Sequence, residues 1–117
     1  MVYAVDFDGT LCEDAFPEIG APKLAAINFV KAARAAGDKV ILWTCRVDDR
    51  LEAAARWCAE QGLVFDAVND NLPELIEKYG SNCRKVCADV YIDDRAWDAD
   101  PFELDLIQQY RYPPKAE

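Results

Sequence analysis

The strongest constraint on this chain is a set of short apolar runs that each end in polar residues. Val2 to Val5 leads into Asp6-Phe7-Asp8-Gly9-Thr10, Val40 to Trp43 leads into Thr44, Leu63 to Val68 forms a third run, and Val90 to Ile92 leads into Asp93-Asp94. Runs of this length without apolar/polar alternation predict strands buried on both faces. The segments between them have helical spacing. Pro22 opens a stretch with Leu24, Ile27 and Val30 on one side and Gly37 past its end, the pattern of a helix with Pro in its first turn and Gly beyond its last. Asp48 or Asp49 is expected to cap a second helix through Leu51, Ala54, Ala55 and Cys58 to a stop at Gly62. Asn71-x-x-Glu74 around Pro73 predicts a capping box for a short helix to about Tyr79. Asp100-Pro101-x-Glu103 predicts another helix start, and Pro113-Pro114 ends that last helix.

Strands alternating with helices require crossover connections, so the expected fold is a doubly wound, Rossmann-like α/β domain with a mainly parallel sheet and helices on both faces. At 117 residues the chain has room for one such domain, 1–117, and not for a second. In this class ligands sit beyond the carboxyl ends of the strands. Asp6 and Asp8, Thr44, and Asp93 and Asp94 all follow strands, so residues distant in sequence are expected to converge on one sheet edge.

Charge and thiols narrow the partners. Lys plus Arg number 13 against 22 Asp plus Glu, a net charge of −9, which disfavours broad nucleic-acid binding. Neither a secretory leader nor an apolar run of membrane-spanning length stands out, and the expected setting is cytoplasmic. The 5 cysteines, an odd and irregularly spaced set, fit reduced thiols. Cys83-x-x-x-Cys87 would need two more good ligands to hold zinc and the chain has 0 His, which disfavours structural zinc and also removes the usual Ser-His and Cys-His pairs. Cys45 is followed by Arg46, Val47, Asp48, Asp49 and Arg50, which misses the cysteine-phosphatase loop by one residue and puts acids where amides should meet phosphate. No Gly-x-x-x-x-Gly-Lys phosphate loop is present.

Carboxylates gathered at one edge repel one another unless a hard cation holds them ionised, and Mg2+ favours one or two carboxylates together with water and phosphate oxygens. Asp6-Phe7-Asp8-Gly9-Thr10, Thr44, Lys85 and Asp93-Asp94 resemble, in order, the motifs of the haloacid dehalogenase-like superfamily, over nearly the whole chain. The resemblance implies a phosphatase in which Asp6 is the nucleophile and Asp8 the general acid and base. It assigns Thr44 and Lys85 to the substrate phosphate, and Mg2+ to Asp6, Asp8 through its carbonyl, Asp93, and Asp94 directly or through water. Asp8 matters for the reaction class, because family dehalogenases and ion-pumping ATPases lack an acid at that place.

Plainer roles stand beside these. Arg84 and Lys78 are substitutes for Lys85, Thr44 could bond its own backbone, and Asp94 could cap a turn. Arg46 is a further candidate for the phosphate, against a role pairing with a nearby carboxylate. Leu11 to Ala21 has room for a hairpin-like flap at most, and Asn69 to Ala88 for a short helix, so no cap domain is expected and the site should be open to a phosphorylated substrate. Glu13, Asp14 and Phe16 in the flap, with Asn69, Asn71, Arg95 and Trp97, are the remaining residues expected near it. Tyr110, Tyr112 and the double proline suit either a contact between copies of the chain or a loose tail. Rival readings are a phosphotransferase or mutase on the same residues, and a magnesium-binding module without turnover.

Overall fold

The computed structural model describes residues 1–80, 86–93 and 104–108. Its elements run β1 (Val2–Val5), β2 (Cys12–Ala15), β3 (Glu18–Pro22), α1 (Leu24–Ala35), β4 (Lys39–Leu42), α2 (Asp48–Glu60), β5 (Ala67–Val68), α3 (Pro73–Tyr79) and β6 (Val90–Ile92), with a further helical stretch over 104–108. Strands β5-β4-β1-β6, in that order, form a 4-stranded sheet in which every pair is parallel, while β2 and β3 make a separate antiparallel hairpin. This is the mainly parallel α/β architecture the alternating runs predict.

Because successive side chains of a strand point to opposite faces, β1 serves two cores at once. Tyr3 and Val5 join Val40, Leu42 and Ile92 in a cluster completed by Ala26, Ile27 and Val30 of α1, Ala54 and Cys58 of α2, and Leu104 and Ile107. Ala4 and Ile41 face the other way, onto Leu72 and Val86, with Leu75 of α3 packed alongside. The chain moves outward from β1 through β4 to β5 with α1 and α2 on one face, then returns past β1 to β6 with α3 on the other. Crossovers of one hand require that change of face when the direction reverses. Burial also protects the thiols: Cys58 is pushed up to about 12, chiefly by desolvation.

Local chemistry shifts several boundaries. Pro22 closes β3, and α1 begins after Lys23. Asp48 and Asp49 do not cap α2; Val47 holds that position without a side-chain bond, and both acids lie in the first turn, where carboxylates favour the helix dipole. Asn71 does not cap α3 either. Leu72 takes that place, and the Asn71 Oδ1 accepts the Cys87 N–H at 2.7 Å. The predicted third strand contracts to Ala67–Val68, and the second ends at Leu42, leaving Trp43 41% exposed. Among the described residues no helix is long and apolar enough to cross a membrane.

Candidate active site

Register brings the site together. Val5 pairs with Leu42 on one side and Ile92 on the other, and Leu42 pairs with Val68, so the four strands finish in one line. The next residues therefore meet at the carboxyl edge. The Asp6 N–H donates to the Ile92 carbonyl at 2.9 Å, Trp43 N–H to Val5 at 2.9 Å, and Asn69 N–H to Leu42 at 2.8 Å. Strand order reverses between β1 and β6, and Asp6 and Asp93 follow those two strands, at the crevice where ligands of such sheets bind.

A cavity of about 640 Å3 opens at this edge, lined by Asp6, Asp8, Asp14, Phe16, Trp43, Thr44, Cys45, Arg46 and Asp93. Asp6 leaves β1 with its Oδ1 accepting the Phe7 N–H at 2.7 Å. The chain then turns tightly, with Thr10 and Leu11 N–H donating to the Phe7 carbonyl at 3.1 and 2.9 Å. Gly9 takes φ 81, a left-handed conformation open to glycine, and the Lys23 ammonium donates to its carbonyl at 3.0 Å. This turn sets Asp6 and Asp8 on the same cavity and feeds the chain into the β2–β3 flap. In the flap, a Cβ on Gly20 would collide with the Glu13 backbone, so the hairpin's close approach requires glycine there.

Thr44 is fixed from two sides. Its N–H donates to Asn69 Oδ1 at 2.7 Å, and its Oγ1 accepts the Arg46 N–H at 3.2 Å. The hydroxyl thus has its backbone role, while its own proton is not used by that bond, and it still borders the cavity.

Arg46 is where the structure adds most. It is 2% exposed, and its Nε and Nη2 donate to Asp8 Oδ2 and Oδ1 at 2.8 and 2.7 Å, a bidentate pair. The same guanidinium donates to the carbonyls of Pro17 (3.2 Å) and Glu18 (2.9 Å) at the flap turn and lies over the rings of Phe7 (5.0 Å) and Phe16 (5.2 Å). The hydrogen bond with Asp8 raises the guanidinium above its ordinary value against the opposing effect of burial. In this arrangement Arg46 joins Asp8 to the flap, the carboxylate pairing weighed against a phosphate contact. Near it, burial pushes the Cys12 thiol up, only partly offset by a hydrogen bond with Gly20, so this cysteine beside the motif is not an activated thiol.

The structure thus gathers Asp6, Asp8, Thr44, Arg46 and Asp93, with flap residues Asp14 and Phe16. Lys85, Asp94, Arg95 and Trp97 lie outside the described residues. The cavity also includes Trp43, which the sequence did not single out, and Cys45, which the sequence weighs only as a nucleophile and sets aside. The apolar run through Trp43 reads as buried strand, whereas its ring packs on Tyr91 and borders the cavity.

For a hard cation the donor set fits by type. Asp6 and Asp93 bring carboxylates from adjacent strands to a lining that also includes Asp8 and Asp14, and the one cationic side chain on the described lining faces Asp8 and the flap. Among the described residues no cluster of three or more ligating side chains forms a ready-made cage. Mg2+ needs no such cage, since it takes one or two carboxylates and keeps water and phosphate oxygens.

No protein-family model matches the chain, and no curated protein matches it. Among solved structures, a conserved protein from Bacteroides thetaiotaomicron is similar, at 34% identity and a TM-score of 0.80, over 99% of this chain and 93% of that one.

Proposed function

The chain belongs to the family of that conserved Bacteroides thetaiotaomicron protein, and we propose that it is a magnesium-dependent phosphomonoester hydrolase of the haloacid dehalogenase-like type, working through an aspartyl-phosphate on Asp6. The observation that carries the reading is the meeting of Asp6, Asp8, Thr44 and Asp93 on one cavity at the strand ends, each delivered by a different turn or strand except the Asp6-Asp8 pair.

In the proposed cycle an Asp6 carboxylate oxygen attacks phosphorus as the bond to the leaving oxygen breaks, and Asp8 gives that oxygen a proton. Water then attacks the phosphorus of the aspartyl-phosphate, Asp8 takes back a proton, and Asp6 is restored. Both Asp8 oxygens accept a guanidinium N–H, the pairing of an ionised carboxylate, so Asp8 takes up the proton it will give by loosening one of those bonds, and the bidentate pair re-forms when the proton passes to the leaving oxygen. Thr44 would donate its hydroxyl proton to a phosphoryl oxygen, and Lys85 is retained as the balancing cation on sequence grounds. Asp6 and Asp93, with the Asp8 carbonyl and Asp94, would hold Mg2+, which supplies charge neutralisation at the phosphoryl oxygens. A cytoplasmic setting belongs to the same proposal, supported by the free thiols of Cys12, Cys45, Cys58 and Cys87.

Phosphate release from an aryl phosphate tests it. Release that requires Mg2+ and is abolished in Asp6→Asn is expected, and undiminished release from that variant overturns the mechanism.

A further inference from the structure

The cavity bordering Asp6 is divided in character. Four carboxylates and a single guanidinium account for the charged part of its described lining, and that guanidinium faces Asp8 and the flap. The other part is aromatic. Phe16 at the flap tip and Trp43 at the end of β4 are 56% and 41% exposed, large rings that a stable core would normally hide. Both are held in place. The Phe16 ring lies against the guanidinium groups of Arg46 at 5.2 Å and Arg50 at 5.4 Å, and the Trp43 ring packs at a tilt on Tyr91 with centroids 5.2 Å apart. Preorganised rings lose little freedom when a ligand settles on them.

A phosphate ester entering this cavity meets a mostly acidic described surface at its charged end, so its affinity comes from a bound cation and Lys85 at the phosphate and from whatever lies beyond the ester oxygen. The volume of about 640 Å3 accommodates a ligand of mononucleotide size. Resting on the phosphatase reading of Asp6, we propose that the substrate carries a planar aromatic or heteroaromatic group, as a nucleoside monophosphate does, which seats on Phe16 and Trp43 while its phosphate faces Asp6. Stacking of this kind tolerates different bases, because every base offers a ring face. The site would then discriminate by the presence of a ring more than by its substituents.

The test compares adenosine monophosphate with ribose phosphate esterified on the same hydroxyl, which shares the leaving oxygen and lacks the base. Affinities are measured by calorimetry with Mg2+ on Asp8→Asn protein, which lacks the acid for turnover and keeps the carboxylates proposed to hold the ion. Adenosine monophosphate is expected to bind about tenfold or more tighter. The ratio should fall toward unity in Phe16→Ala, whose flap-tip position makes it a mild change for folding, and in Trp43→Ala, while Trp43→Phe retains it. Equal affinities, or no binding of either ester, overturn the proposal. Asp6-dependent release from an aryl phosphate alongside equal affinities would sink this proposal alone. Preferential binding without release by the wild type would sink the phosphatase reading and leave the ring site standing.

Discussion

A guanidinium that is 2% exposed must place its N–H donors inside the protein, and Arg46 places them on Asp8 and on the carbonyls of Pro17 and Glu18. In this account it is a positioning residue, fixing the Asp8 carboxylate and the flap without touching the phosphate. Arg46→Ala is expected to lower kcat by about ten- to a thousandfold with a smaller rise in KM, because a misplaced acid slows the chemical step more than the loosened flap and Phe16 ring weaken binding. Arg46→Lys should not restore it, since an ammonium cannot make the bidentate pair. A variant that raised KM with kcat intact would mark Arg46 as a phosphate ligand instead. Two aspartates two residues apart often just cap a turn, so it was only as part of a set, with Thr44 and Asp93-Asp94 at the ends of other apolar runs, that Asp6 and Asp8 were legible in the sequence. The partner of Asp8 was not, since Arg46 lies far along the chain and only the pairing of β1 with β4 sets them side by side.

At the level of elements, the strands were easier to read than their ends. Apolar runs located β1, β4 and β6, but the third run was expected over 63–68 and pairs only at Ala67 and Val68. The reason is Asp66. Its carboxylate accepts the Val40 N–H at 2.7 Å and the Arg34 guanidinium at 2.7 Å, so a side chain takes the place a main-chain carbonyl would hold in the ladder. The capping residues misled for a related reason: Asn71 matches a capping box but binds the Cys87 backbone across the fold, a contact no local pattern encodes. Burial alone would raise Asp66, yet the Val40 N–H and the Arg34 and Lys39 charges outweigh it and hold the carboxyl below its ordinary value. A depressed folded value contributes stability above the unfolded value of 3.8, and that stability is lost as pH falls through the folded value. Asp66→Asn should therefore cost about 2 kcal/mol near neutrality and less in acid, read by denaturant unfolding at several pH values. An equal cost at every pH would contradict the charge argument.

Across the whole molecule, a net charge of −9 and a sheet edge lined with carboxylates leave the folded state open to stabilisation by a cation. Saturating Mg2+ should raise the unfolding temperature, with about 2.7 kcal/mol of stabilisation at a hundredfold excess over Kd, and the rise should vanish in Asp93→Asn. A rise that survived in Asp93→Asn would place the ion elsewhere. The doubly wound architecture was readable from the rhythm of strands and helices, and the flap from the shortness of the connection after β1, because both follow from chain length and local pattern. Of the aromatic side of the cavity, Phe16 was readable from its place in the flap, while Trp43 was not, because its apolar run reads as buried strand.

The most direct measurement is to quench a single turnover in acid and locate the phosphoryl group by mass spectrometry. The account predicts one phosphoryl group on the peptide bearing Asp6, present in wild type and absent in Asp6→Asn. Phosphate release with no such adduct at any quench time, or an adduct on another residue, would contradict it.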